Sequence, residues 1–143
     1  MISIKTLFGP TLSIFVVLCI VATTPAAQVA QVEHGQYLVQ HVGLCGDCHS
    51  PHDNHGQIIG ARALQGAALT FKPLSSVPNW VDYAPALVGL PGFSDEQMVT
   101  FLTTGKDPAG QFARPPMPAY RFSKKDAIAV VDYLRSLAPK KKP

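Results

Sequence analysis

Residues 45–49 read Cys45-Gly46-Asp47-Cys48-His49. Two thiols three residues apart, with an imidazole directly after the second, form the C-x-x-C-H pattern. Thiols at this spacing reach the two vinyl groups of one porphyrin and can form thioethers with both. The adjacent histidine then lies under the iron and can bind it through a ring nitrogen. The pentapeptide therefore reads as a site of covalent haem attachment. Three other readings compete. A thioredoxin-like C-x-x-C asks for a βαβ context, and no strand–helix alternation surrounds this one. A zinc site asks for a second ligand pair. His52 and His55 lie nearby, but no further cysteine does. A plain disulfide leaves His49 without a purpose.

Outward from the motif, the chain reads as helices joined by Pro- and Gly-rich loops. Val32–Val42 has Tyr37, Leu38 and Val42 near one face at helical spacing. Gly35 within it costs a helix about 1 kcal/mol, and a close helix–helix crossing would account for it. Ser50-Pro51 ends any helix after the motif. Ile58–Gly92 is irregular, punctuated by Pro73, Pro78, Pro85 and Pro91, with one short helix expected near 61–68. Ser94 and Gln97 then make an S-x-x-Q capping box. Asp95 and Glu96 suit the positive end of that helix. Phe93 and Met98 form its hydrophobic staple, and Gly105 is placed to stop it. Ser123, with Asp126 three residues on, starts a last helix. Its apolar stripe is Ile128, Val130, Val131, Tyr133, Leu134 and Leu137.

In this order the chain resembles a class I c-type cytochrome domain over residues 32–138. The resemblance rests on Gly35 and Tyr37, the C-x-x-C-H motif, the long Pro/Gly-rich loop, a Met-Pro segment and a C-terminal helix with Tyr133-Leu134. It implies an all-α cytochrome c fold of three to five helices wrapped around one covalently attached haem. It also implies that the first and last helices cross, and Gly35 against Tyr133 is the expected crossing point.

Low-spin electron-transfer haems usually fill both axial positions, commonly with His and Met. Besides Met1, the methionines are Met98 and Met117. Met98 already has a packing role beside Phe101 and Leu102. Met117 sits in Arg114-Pro115-Pro116-Met117-Pro118-Ala119-Tyr120, where three prolines in four residues exclude helix. A stiff loop holding one thioether costs little entropy to order. The site expectation is thus Cys45 and Cys48 as thioether anchors, His49 as proximal ligand and Met117 as distal ligand. His34, His41, His52 and His55 read as solvated surface histidines. Trp80, Tyr83 and Arg62 are candidate donors to the haem propionates, as the resemblance suggests.

Residues 1–27 read as an export signal: Lys5, then the apolar run Leu12–Ala22, then small residues Thr23–Ala27. The alternative is the same tract retained as an N-terminal anchor. Cys19 falls inside the apolar run, without a lipobox before it. Residues 28–138 are the cytochrome domain, and 139–143 a Lys-rich tail. Export places the domain in the periplasm. One domain of this length excludes a TIM barrel or a full Rossmann fold. A net charge of +3 excludes a nucleic-acid footprint. Only 15% of residues are charged, against about 25% in ordinary domains.

With both axial positions filled, the reading is a one-electron carrier, not an enzyme. The flanks of the motif and Gly92–Gln97 are similar to cytochrome c domains serving bacterial membrane-associated dehydrogenases. That similarity implies a dehydrogenase as donor and an oxidase or another cytochrome as acceptor. Membrane contact would come through a retained N-terminal segment or through docking. Such subunits mostly carry several haems, whereas this chain has one C-x-x-C-H. A haem enzyme or gas or peroxide sensor with an open sixth site remains an alternative. So does a haem-free thiol or zinc module.

Overall fold

The computed structural model describes residues 24–139. The export tract through residue 23 and the last four residues of the Lys-rich tail lie outside the described residues. Among the described residues four α-helices form the frame: α1 (Pro25–Tyr37), α2 (Cys45–His49), α3 (Asp95–Thr104) and α4 (Lys124–Ser136). Two short strands, β1 (Ala67–Ala68) and β2 (Tyr83–Ala84), pair antiparallel between α2 and α3. The domain is all-α, as the sequence implies.

Thr24 caps α1 by accepting from Ala27 N–H, and Pro25 takes the first turn, where a missing N–H costs nothing. The helix runs on as a π-helical turn, Leu38–Val42. In that wide turn Leu38 and Val39 are buried, while Tyr37 and Val42 are more than half exposed. The expected α-helical stripe is thus shifted onto neighbouring residues. Gly43 N–H closes the turn on the Leu38 carbonyl at 2.7 Å. Leu44 then adopts a left-handed conformation, φ 49°, and turns the chain into α2.

The expected crossing is present. A Cβ built on Gly35 would fall on the Ala129 carbonyl oxygen, 2.6 Å from its carbon and 2.9 Å from Tyr133 Cβ. Only glycine lets α1 come this close to α4. The capping box of α3 forms in full, and Gly105 ends that helix at φ 74°. Met98 and Leu102 are buried in the core, with Phe93 packed against it. Ser123 caps α4 by accepting from Asp126 N–H at 3.1 Å. Helix α4 packs against both α1 and α3. Its small residues Ala127 and Ala129 are buried along with Val130, Val131, Tyr133 and Leu134. Ile128 and Leu137, expected in the stripe, are instead exposed. Burying small residues against two neighbours turns the large ones at those positions outward.

The helix expected near 61–68 is a single 3₁₀ turn, Gly60–Arg62. Leu64 at φ 59° and Gly66 at φ 84° break it, and Ala67 pairs into β1. Arg135 of α4 anchors the loop before α3. It donates to the carbonyls of Gly89 and Phe93 and pairs with Asp95 at 2.6 Å.

Candidate functional site

Helix α2, strand β2, the 85–91 loop, α3, the 111–120 loop and α4 enclose one cleft of about 370 Å³. Cys45, Cys48, His49 and Met117 all line it. Its walls are apolar, with Leu87, Leu90, Phe101, Leu102, Val130 and Leu134 among them. The four residues named from sequence are therefore brought to one cavity. The four other histidines do not line it.

His49 is oriented by a partner remote in sequence. Its Nδ1 lies 2.6 Å from the Pro85 carbonyl oxygen. A carbonyl only accepts, so Nδ1 carries the proton and Nε2 keeps its lone pair. A second hydrogen bond of this kind is the usual way to fix a metal-binding imidazole. Burial, opposed by the Pro85 bond, holds the His49 pKa below its ordinary value and favours the neutral, ligating form. Its carbonyl accepts from Gly66 N–H at 2.8 Å. Next to it, the buried Ser50 Oγ accepts from Leu64 N–H at 2.9 Å, fixing the chain as it leaves α2.

Both thiols are free. Burial pushes Cys45 up to about 11, and burial followed by the Asp47 charge raises Cys48. A redox or nucleophilic cysteine needs the reverse, a thiolate stabilised by a cation or a helix N-terminus. These thiols therefore lack the low-pKa character of a redox or nucleophilic pair. Among the described residues no three His, Cys, Asp or Glu side chains converge as a metal site.

Met98 also lines the cleft, but as part of the core at 6% exposure. Met117 is half-buried on its proline-framed loop. Tyr83 lines the cleft, and so does Arg114, which sequence reasoning did not single out. Arg62, which it did, is exposed and does not. Trp80, next to the lining residue Val81, holds its indole edge-on to Phe71 at 5.9 Å. Its Nε1 is buried with no acceptor among the described residues. A buried donor without a partner costs about 1–3 kcal/mol. A haem carries acceptors, two thiol-reactive vinyl groups, an iron and a large apolar face, so these residues fit it.

No family model matches the chain. Over 117 residues, 75% of this chain, it is 32% identical to the cytochrome c subunit of a quinone alcohol dehydrogenase from Gluconobacter oxydans (strain 621H); the match covers 24% of that protein. The corresponding subunit from Komagataeibacter europaeus is 32% identical over 76% of this chain and 25% of its own length. The fructose dehydrogenase cytochrome subunit of Gluconobacter japonicus is 31% identical over 74% of this chain and 22% of its own. The chain carries a domain homologous to the cytochrome c subunits of these dehydrogenases. It spans about a quarter of the length of the curated relatives it matches.

Sequence reasoning about this chain missed a repeated turn. Asp53-Asn54-His55-Gly56-Gln57 and Asp107-Pro108-Ala109-Gly110-Gln111 share D-x-x-G-Q. In each, the aspartate Oδ1 accepts two backbone N–H groups, from His55 and Gln57 at 2.8 and 2.9 Å, and from Ala109 and Gln111 at 2.9 Å. One turn follows His49 and the other precedes the Met117 loop. The pentapeptide repeat was the available signal. The Pro85 contact had none, because it joins residues 36 positions apart.

Proposed function

We propose that this chain is a one-electron carrier with one covalent haem c held by Cys45 and Cys48, ligated by His49 and Met117. The observation that carries the reading is the convergence of those four side chains on one apolar cleft, with His49 already oriented by Pro85. A haem bound there supplies Fe(III)/Fe(II) chemistry. The protein's own work is positional and electrostatic. His49 stays neutral and aimed. The apolar walls disfavour the extra charge of the oxidised state, and a thioether ligand raises the potential in the same direction. Tyr83 and Arg114, which line the cleft, are donors available to the propionates; Trp80 does not line it and is a candidate only through its buried, unpartnered Nε1.

The donor is a dehydrogenase, a reading supported by the relatives being cytochrome subunits of alcohol and fructose dehydrogenases; the acceptor is an oxidase or another cytochrome. The domain works outside the cytoplasm after export on residues 1–27. Among the described residues no helix is long and apolar enough to cross a membrane.

The test is expression with haem-attachment machinery, followed by mass measurement and redox titration. The expected product carries the mass of one haem and titrates as a single one-electron couple. Cys45→Ala combined with Cys48→Ala yields chain without covalent haem. A haem-free wild-type product with an oxidised Cys45–Cys48 pair overturns the reading in favour of a thiol module. A high-spin oxidised spectrum that shifts with carbon monoxide on reduction supports an open sixth site instead.

A further inference from the structure

The loop bearing Met117 is tied to the rest of the molecule on either side of the ligand. Upstream, Ala113 N–H donates to the Gly105 carbonyl at 3.1 Å, and the Pro115 carbonyl accepts from Val81 N–H at 2.9 Å. Downstream, Phe122 N–H donates to the Leu102 carbonyl at 3.1 Å. Between Met117 and Phe122, Pro118 has no N–H to give. Among the described residues, one hydrogen bond joins that stretch to another element. The Tyr120 hydroxyl donates to the carbonyl of Gly43.

Gly43 ends the π-helical turn and lies two residues before Cys45. The Tyr120 hydroxyl also lies beside the Cys45 thiol, which it helps hold below the value burial alone would set. The tyrosine ring is stacked on Phe122 at 5.2 Å and 9°. Phe122 in turn reaches the space above Gly43, where an added Cβ would stand 3.6 Å from the end of its ring. Both aromatics pack against the buried core. The ring is therefore fixed by packing, and its hydroxyl bridges the attachment turn and the methionine loop.

We propose that Tyr120 is a positioning residue for the distal ligand. Its hydroxyl pins the loop three residues after Met117 to Gly43, two residues before Cys45, so that haem attachment and distal ligation share one geometry. This inference rests on the reading of Met117 as the sixth ligand. The stacked ring alone would hold the loop near the core, but the hydrogen bond sets its reach. Without the hydroxyl, the loop between Met117 and Phe122 keeps only apolar contacts and moves away from the iron more readily.

The experiment compares haem-loaded wild type, Tyr120→Phe and Tyr133→Phe. The readouts are the near-infrared Met-to-iron charge-transfer band of the oxidised protein and titration with free imidazole, which competes with a methionine ligand. Tyr133 is the control, because its hydroxyl accepts from Gln40 at 3.2 Å at the helix crossing, away from the cleft. The expected result is a weakened band and imidazole binding about tenfold tighter in Tyr120→Phe, the scale of one net hydrogen bond. Tyr133→Phe stays within about twofold of wild type on the same scale. A Tyr120→Phe protein with wild-type band and affinity overturns the inference alone. Equal shifts in both variants overturn it too, since general loosening would then explain them. A wild type without the band overturns the ligand reading and the inference together. Should Tyr120→Phe yield no haem-loaded protein, NMR of the reduced wild type decides. A slowly exchanging Tyr120 hydroxyl proton close to Cys45 supports the inference, and a freely exchanging one overturns it.

Discussion

Replacing Gly35 by alanine adds one methyl group at the place where α1 and α4 touch. The added carbon falls on the carbonyl group of Ala129, 2.6 Å from its carbon, and 2.9 Å from Tyr133 Cβ. Carbon atoms pack best at about 3.5–4.0 Å, so the helices must separate by roughly an ångström. The obstacle is main chain within a helix, which cannot rotate aside as a side chain would. Overpacking of this kind costs about 1–3 kcal/mol, and the fixed obstacle places Gly35→Ala at the upper end. Alanine's better helix propensity returns about 1 kcal/mol. The net loss is about 2 kcal/mol, or roughly 10 °C in melting temperature for a domain of this size. Thermal and urea unfolding of the haem-loaded protein, followed by far-ultraviolet circular dichroism, measures it. Gly60→Ala is the control, since nothing lies within 4 Å of its added Cβ. A Gly35→Ala protein that melts at or above the wild-type temperature refutes the crossing argument.

Ser94→Ala removes the serine half of the α3 capping box, the hydroxyl that accepts from Gln97 N–H, while the backbone N–H of residue 94 can still donate to the Gln97 side chain; it is expected to cost about 1 kcal/mol in urea unfolding. Arg135→Leu strips donors from the Gly89 and Phe93 carbonyls. It should cost about 1–3 kcal/mol and raise hydrogen exchange in residues 89–93. The Asp126 carboxyl is held below its ordinary 3.8, first by the hydrogen bond from His34 and then by that from Ser123. A depressed folded-state pKa contributes stability above the unfolded value, lost as pH falls through the folded one. Asp126→Asn is therefore less stable than wild type near neutrality, and the two converge in the acid range below 3.8. A gap that persists or widens there shows that the pair is not the source.

Local chemistry made part of this molecule legible in its sequence. Ser94, Gln97, Gly105 and Ser123 act within their own turns, and each does what its residue type implies. Gly35 was legible for a different reason: its cost to an isolated helix asked for a compensating contact. The failures share a cause. Tyr37, Val42, Ile128 and Leu137 fit helical spacing yet face outward, because a π-helical turn and close packing of small residues decide which face is buried. Among the residues that line the cleft, Cys45, Cys48 and His49 stood out through their adjacency, and Met117 through its prolines. The contacts of His49 with Pro85 and of Tyr120 with Gly43 act across long separations. In each the acceptor is a backbone carbonyl, and a carbonyl leaves no trace in a residue pattern.

The most direct test of the account is the near-infrared spectrum of oxidised, haem-loaded protein in three forms: wild type, Met117→Ala and Met98→Leu. Both methionines line the same cleft, so the comparison tells ligand from wall. The account predicts a weak Met-to-iron charge-transfer band in wild type, retained in Met98→Leu and gone in Met117→Ala. A band that survives Met117→Ala, or that disappears with Met98→Leu instead, contradicts it.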